Sequence, residues 1–264
     1  MIVRVEGHFG ELMQGRLGES GPVALITLPC PALAVEAQLA PLSDPHGLLP
    51  PHRARALLSE LGLQEPGPFS LTANMPRGGG AGASTAALVA LARLAGSGHP
   101  PAALAKACVA VEGASDPLMF PAPARLLWAS RRAEVVADLP PLPPLDVIGG
   151  FFGPNRRTDP EDERFPDISD LVGPWQAAAA AGDVRKIGAL ASLSAERTMR
   201  LRGISADPTP ALASVTGALG YVIAHTGSAR GLLFARGATL SEAQNRMERA
   251  GFRRIVSFRV GDIS

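Results

Sequence analysis

The sequence predicts an α+β protein of two domains, and three observations carry that prediction. A half-apolar strand runs into a glycine loop and out into an apolar helix over residues 69–94. Near the middle, Leu139-Pro140-Pro141-Leu142-Pro143-Pro144 can form neither a helix nor an inner strand, so it reads as a stiff linker or edge segment. Beyond it the segments follow the order β-α-β-β-α-β, with one extra helix, which is the ferredoxin-like order. The expected domains are therefore 1–140 and 141–264. A chain of 264 residues that is 46% hydrophobic can bury cores of that size.

The elements follow from local pattern. Ile2 to Glu6 reads as a strand rather than a signal peptide, and Gly7 to Gly15 as a glycine-punctuated loop. Val23 to Pro29 and Ala32 to Ala40 read as two strands, and Pro51 to Leu61 as a helix. Phe69, Leu71, Ala73 and Met75 alternate along the next strand. The helix after the glycine loop carries Leu88, Val89, Leu91, Ala92 and Leu94 and stops at Gly96-Ser97-Gly98-His99-Pro100. Pro101 suits the first turn of another helix, which runs to about Glu112 with Leu104, Cys108 and Val111 on one face. The second half reads as strand Leu145 to Phe152, helices Pro174 to Ala181 and Val184 to Leu201, and strands Tyr221 to His225 and Gly231 to Ala235. Helix Leu240 to Ala250 and strand Arg253 to Val260 complete it.

Composition excludes several classes. A net charge of +1 gives no electrostatic case for nucleic acid or an anionic membrane, and aromatics are too few for base-stacking platforms. No stretch of about 18 apolar residues stands ready to span a bilayer, so a cytoplasmic protein is expected. Cys30 and Cys108 sit among apolar residues as buried thiols. No second histidine or cysteine stands at ligand spacing from His8, so no zinc site is expected.

Chemistry concentrates in Pro76-Arg77-Gly78-Gly79-Gly80-Ala81-Gly82-Ala83-Ser84-Thr85-Ala86. A strand, a glycine loop and a helix start aim unpaired backbone N–H groups at an anion. Ser84 and Thr85 add hydroxyls within reach of a phosphate-bound Mg²⁺. The segment has no lysine, so it is not a P-loop. Gly78-x-Gly80-x-x-Ala83 fits the dinucleotide pattern formally, but the next acidic residue is Glu112, too far on to hold a ribose. A glycine-rich turn before a buried alanine helix is the plain structural alternative.

Pro76, Gly80, Gly82, Ser84 and Ala86 match the phosphate-loop signature of the GHMP kinases, which the segment resembles. Gly7-His8-Phe9-Gly10-Glu11-Leu12-Met13-Gln14-Gly15 is similar to the Gly-Glu-Leu-x-Gln-Gly opening of one branch, the L-threonine kinases of propanediol utilisation and cobalamin synthesis. Ala224-His225-Thr226-Gly227-Ser228-Ala229-Arg230-Gly231 resembles that branch's late loop. The resemblance implies a GHMP kinase fold: an N-terminal domain like ribosomal protein S5 domain 2, a ferredoxin-like C-terminal domain, and a cleft between them.

It also implies the parts of a phosphoryl transfer: ATP and Mg²⁺ as cofactors and a small hydroxyl compound as acceptor. Pro76, Gly78, Gly79, Gly80, Ala81, Gly82, Ala83, Ser84 and Thr85, with Thr226, Gly227 and Ser228, are the expected nucleotide contacts. Ser84 and Glu112 are the expected metal ligands, and Asp116 the group that activates the acceptor hydroxyl. Gly10, Glu11 and Gln14 are expected to hold the acceptor. His8 reads as merely polar, His225 as a packed strand residue, and Arg230 as reaching either phosphate or water. The charge-rich run from Gly153 to Asp167 reads most simply as a solvated connection, or as a lid.

Departures are specific. Ala83 and Ala87 replace a serine and an aspartate of the threonine-kinase branch, and Glu112 and Asp116 stand four apart where that branch has three. The expectations are thus an ATP-dependent kinase acting on L-threonine or another small alcohol such as homoserine, or a non-catalytic nucleotide- or metabolite-binding protein of the same fold. A Rossmann-type oxidoreductase ranks last.

Overall fold

The computed structural model describes residues 2–44, 47–156 and 159–261. One sheet, antiparallel throughout its ladders, runs the width of the molecule. Its first half comprises β1 (Ile2–Arg16), β2 (Val23–Leu39), β3 (Phe69–Ala73), β4 (Leu126–Ala129) and β5 (Glu134–Asp138), with α1 (Pro51–Glu60), α2 (Ala83–Leu94) and α3 (Pro101–Glu112). The second half comprises β6 (Leu145–Phe151), α4 (Ser169–Ala180), α5 (Val184–Arg202), α6 (Thr209–Thr216), β7 (Gly220–Ile223), β8 (Ala229–Ala235), α7 (Ser241–Arg249) and β9 (Arg253–Val260). The strand order is β5-β4-β2-β1-β7-β8-β6-β9, with β3 paired to β2. Within the second half, β7-β8-β6-β9 is the ferredoxin-like arrangement. The antiparallel ladders exclude the Rossmann reading.

Four sequence expectations are corrected. Gly7 to Gly15 is not a loop but the middle of β1, which passes His8 and Glu11 through register shifts against β2. Those bulges let a glycine-rich strand bend without leaving the ladder. The two strands expected over 23–40 are one, β2, because Pro29 falls at a register change rather than a break. Helix α4 begins at Ser169, and Pro174 lies inside it rather than at its start. The second half has two extra helices, not one: the short α6 follows Pro208 and escapes the periodicity because it spans only 8 residues.

The linker 139–144 is extended, and Leu139 and Leu142 are buried against the larger core. That core joins α2, wholly apolar on its inner turns, to both sides of the sheet. A smaller cluster, built on Ile148, Tyr221, Phe234 and Met247, fills the opposite face of the second half. Burial on this scale is the dominant stabilising term. Cys30 and Cys108 are buried and unpaired, and burial pushes both thiols up to about 12. Among the described residues, no helix is long and apolar enough to cross a membrane.

Candidate active site

A cleft of about 250 Å³ lies where β1, the loop before α2, the loop after α3 and the β7–β8 turn converge. The loop before α2 forms its floor. Gly78, Gly80 and Gly82 all have positive φ, a backbone that residues with a Cβ rarely adopt. Its carbonyls are turned outward and taken. Gly78 O accepts from Arg156 N (2.9 Å), Gly79 O from Ala229 N (2.8 Å), Gly80 O from Gly10 N (3.2 Å) and Ala81 O from His8 N (3.1 Å). The N–H groups from Gly80 to Thr85 have no backbone acceptor among the described residues. Gly82 caps α2 without a side-chain hydrogen bond, so the helix N-terminus is also open. Outward carbonyls and inward N–H groups make a cradle that fits the phosphates of a nucleotide.

The expected metal pair lies at the edge of the cradle. Ser84 Oγ donates to Glu112 Oε1, and Arg53 Nη1 donates to the same oxygen at 2.5 Å. Burial holds the Glu112 carboxyl above its usual range, with the Ser84 hydrogen bond and Arg53 opposing. A hydroxyl beside a carboxylate is the hard oxygen donor set that suits Mg²⁺.

Asp116 faces the cleft from the loop after α3. Its backbone N donates to Thr85 Oγ1 (3.3 Å), and Thr85 Oγ1 donates to Asp116 Oδ2 (3.5 Å). Thr85, expected as a nucleotide contact, is thus an anchor for Asp116. Trp128 Nε1 donates to Ser115 O (2.7 Å) and Ser115 N to Ser130 O (2.9 Å), which ties this loop to β4.

His8 is the residue that sequence reasoning passed over. Its Nε2 lies 3.2 Å from Asp116 Oδ2 and its Nδ1 lies 3.3 Å from Glu11 Oε1. Burial pushes its pKa down, but the carboxylates of Glu11 and Asp116 outweigh that and raise it to about 9. Burial raises the Glu11 carboxyl to about 8, opposed by His8 and assisted by Asp116. Glu11 Oε2 and Gln14 Nε2 are buried without a hydrogen-bond partner among the described residues, and both side chains line the cleft. Glu11 also pairs with Ile223 of β7, so it stands on the seam between the two halves.

Most of the expected nucleotide contacts line the cleft, including Pro76, Gly78, Gly80 to Thr85, Thr226 and Gly227. Gly79 and Ser228 do not, nor does Gly10 of the expected acceptor contacts. Gly10 lies against the backbone of Ile223 and Ala224, where a Cβ has no space. Ser228 Oγ donates to Asn155 Oδ1 (2.5 Å). Arg230 does not line the cleft. It is buried, pairs with Asp207 (2.6 Å), and its Nη1 donates to Gly227 O and Ala229 O. The 153–167 segment is more than a solvated connection: Pro160 packs on Gly113, and Phe165 stacks on His225 at 3.8 Å with rings 6° apart. Arg157, in the same run, lies outside the described residues. Burial and the adjacent Arg202 hold His225 down at about 3, a neutral packed ring.

No protein-family model and no curated protein matches the sequence. Solved structures do match. Mevalonate kinase of L. major, in complex with R-mevalonate, is 15% identical with a TM-score of 0.65, covering 100% of this chain and 96% of that one. Phosphomevalonate kinase of Streptococcus pneumoniae, in complex with phosphomevalonate and AMPPNP, is 14% identical with a TM-score of 0.64, covering 98% and 100%. Homoserine kinase of Cytophaga hutchinsonii is 18% identical with a TM-score of 0.59, covering 98% and 94%. The fold is that of the GHMP kinases.

Proposed function

We propose that this chain is an ATP-dependent kinase for the hydroxyl of a small amino acid or related metabolite, with L-threonine, giving O-phospho-L-threonine for cobalamin side-chain synthesis, as the preferred reaction. The observation that carries this reading is the position of Asp116 at the rim of an N–H cradle, fixed by Thr85 and paired with His8. Solved kinases of this fold whose descriptions name mevalonate and phosphomevalonate support a small hydroxyl acceptor. The two-domain division, 1–140 and 141–264, belongs to the same proposal, with the cleft at the seam.

The residues divide the work. The N–H groups of Gly80 to Thr85 hold the phosphates, and Ser84 and Glu112 hold the metal. ATP–Mg²⁺ supplies the phosphoryl group and neutralises charge that develops on transfer. Asp116 accepts the proton of the acceptor hydroxyl, and His8 Nε2, 3.2 Å from Asp116 Oδ2, holds that carboxylate in place. Glu11 Oε2 takes the acceptor's ammonium group and Gln14 Nε2 its carboxylate, filling the two orphaned polar atoms. Ala87 is fully buried in the apolar core, away from the cleft. The aspartate that the threonine-kinase branch has there is not needed to complete this site.

The test is phosphate transfer from ATP–Mg²⁺ to a panel containing L-threonine, L-serine, homoserine and their deaminated analogues, with product followed by mass. The expected product is phosphothreonine, with no turnover of acceptors that lack the amino group. Phosphohomoserine alone keeps the kinase and removes the threonine assignment. ATP binding without any product overturns the kinase reading in favour of a nucleotide-binding protein.

A further inference from the structure

The cluster of His8, Glu11 and Asp116 has a second property that the kinase reading does not use. One ligand atom from each of the three lies within 4.8 Å of the others. His8 Nδ1 is 3.1 Å from Gly10 O, so in the neutral ring it carries the hydrogen and donates to that carbonyl. The Nε2 lone pair is then turned toward Asp116 Oδ2 at 3.2 Å. In the imidazolium, Nε2–H fills that gap by donating to Asp116; once that proton leaves, the two lone pairs face each other and a cation can take its place. A backbone carbonyl on the far nitrogen is also the arrangement that orients a metal-ligating histidine. Glu11 Oε2 supplies an independent sign: it is buried on the cleft-lining side chain with no well-formed hydrogen bond, the Thr27 hydroxyl being its neighbour. Asp116 is the most exposed of the three and leaves one side open to the cleft.

We infer that His8 Nε2, the Glu11 carboxylate and Asp116 form a binding site for a borderline divalent cation such as Zn²⁺ or Mn²⁺, distinct from the Ser84–Glu112 pair. One imidazole and two carboxylates cancel a dication's charge and leave a position open, a donor set that selects Zn²⁺ or Mn²⁺ over Mg²⁺. The sequence hides this site because the partners of His8 are carboxylates, which carry no metal-ligand spacing of their own. The cation takes the same Glu11 oxygen as the acceptor's ammonium, so the two compete. That competition rests on the acceptor reading above; the site itself does not.

The test is calorimetric titration of Zn²⁺ into nucleotide-free protein at pH 8, repeated with Mn²⁺ and followed by electron paramagnetic resonance. One equivalent is expected to bind in the unmodified protein. Binding is expected to weaken at least tenfold in each of the near-isosteric variants Glu11→Gln and Asp116→Asn, and to be retained in Ser84→Ala. Far-ultraviolet circular dichroism checks that each variant is folded, and the anomalous signal at the zinc edge locates the ion. An unchanged titration in Glu11→Gln and Asp116→Asn overturns the site, as does loss of the signal in Ser84→Ala alone, or no binding at millimolar Zn²⁺. If Zn²⁺ binds as described but does not compete with L-threonine, the metal site stands and the acceptor reading fails.

Discussion

Gly227→Ala drives a methyl group into the backbone of the phosphate cradle. A Cβ built at Gly227 lies 2.3 Å from Gly80 N and 2.4 Å from Gly79 C and O, where 3.4 Å begins ordinary contact. The obstacle is main chain rather than the end of a flexible side chain, so the turn and the cradle must separate by roughly 1 Å. Overpacking of this kind costs about 1–3 kcal/mol, which for a chain of this size lowers Tm by several degrees. A displacement of about 1 Å in a positioning loop costs about 10²-fold in rate. The expected outcome is therefore a modest fall in Tm with a fall of about two orders of magnitude in kcat/KM, most of it tied to nucleotide. Steady-state kinetics against ATP and differential scanning calorimetry measure both. Gly217→Ala, at a left-handed helix end with open space around it, gives the comparison. It carries left-handed backbone strain that Gly227, with no positive φ, does not have, and it touches nothing in the cleft. If Gly227→Ala keeps kcat/KM within twofold, the turn does not buttress the cradle and the reasoning is wrong.

Other substitutions probe separate parts of the argument. Asp116→Asn removes the proton acceptor while keeping its shape. Turnover is expected to fall about 10²–10⁴-fold with nucleotide affinity unchanged by equilibrium titration, and a similar loss of affinity would place Asp116 in the cradle instead. Arg230→Met leaves Asp207 charged and buried without its partner, an expected loss of about 3–5 kcal/mol in urea unfolding; a loss under 1 kcal/mol would show that Asp207 finds water. His225 is held at about 3 by burial and Arg202, with Asp162 opposing, against an ordinary value near 6.5. Its neutral form therefore adds stability that is fully present above about pH 6.5 and is lost as pH falls toward 3, at up to about 1.4 kcal/mol per unit. The Phe165 stack suits a planar amide as well, so His225→Gln is expected to flatten the unfolding free energy between pH 4 and 6.5. An unchanged slope would show that the ring titrates normally.

Much of the plan was legible because it is written locally. The cradle is one contiguous segment, and α2 and α3 are bounded by glycine and proline signals that act within a turn. The β-α-β-β-α-β order of the second half is readable because its strands are apolar runs between clear breaks. What was illegible is set by distant partners. Glycines 7, 10 and 15 look like a loop, yet β1 stays a strand because β2 pairs with it along its length and the cradle's carbonyls accept N–H groups from His8 and Gly10. β4 and β5 are 4 and 5 residues long, too short for a period to register. His8 has no local pattern at all; only the fold brings Asp116 to it.

β1 carries His8, Glu11 and Gln14, and it is also the strand that joins the two halves through the Glu11–Ile223 pair. A clamshell motion between the halves would have to tear a shared ladder at the very residues that line the cleft. Traffic into and out of the cleft is therefore left to the strap that bears Pro160 and Phe165, tethered by Arg16 to Glu163 and by Arg202 to Asp162. Opening that strap would break these ion pairs, so on the proposed function raising the salt concentration is expected to speed exchange through the cleft.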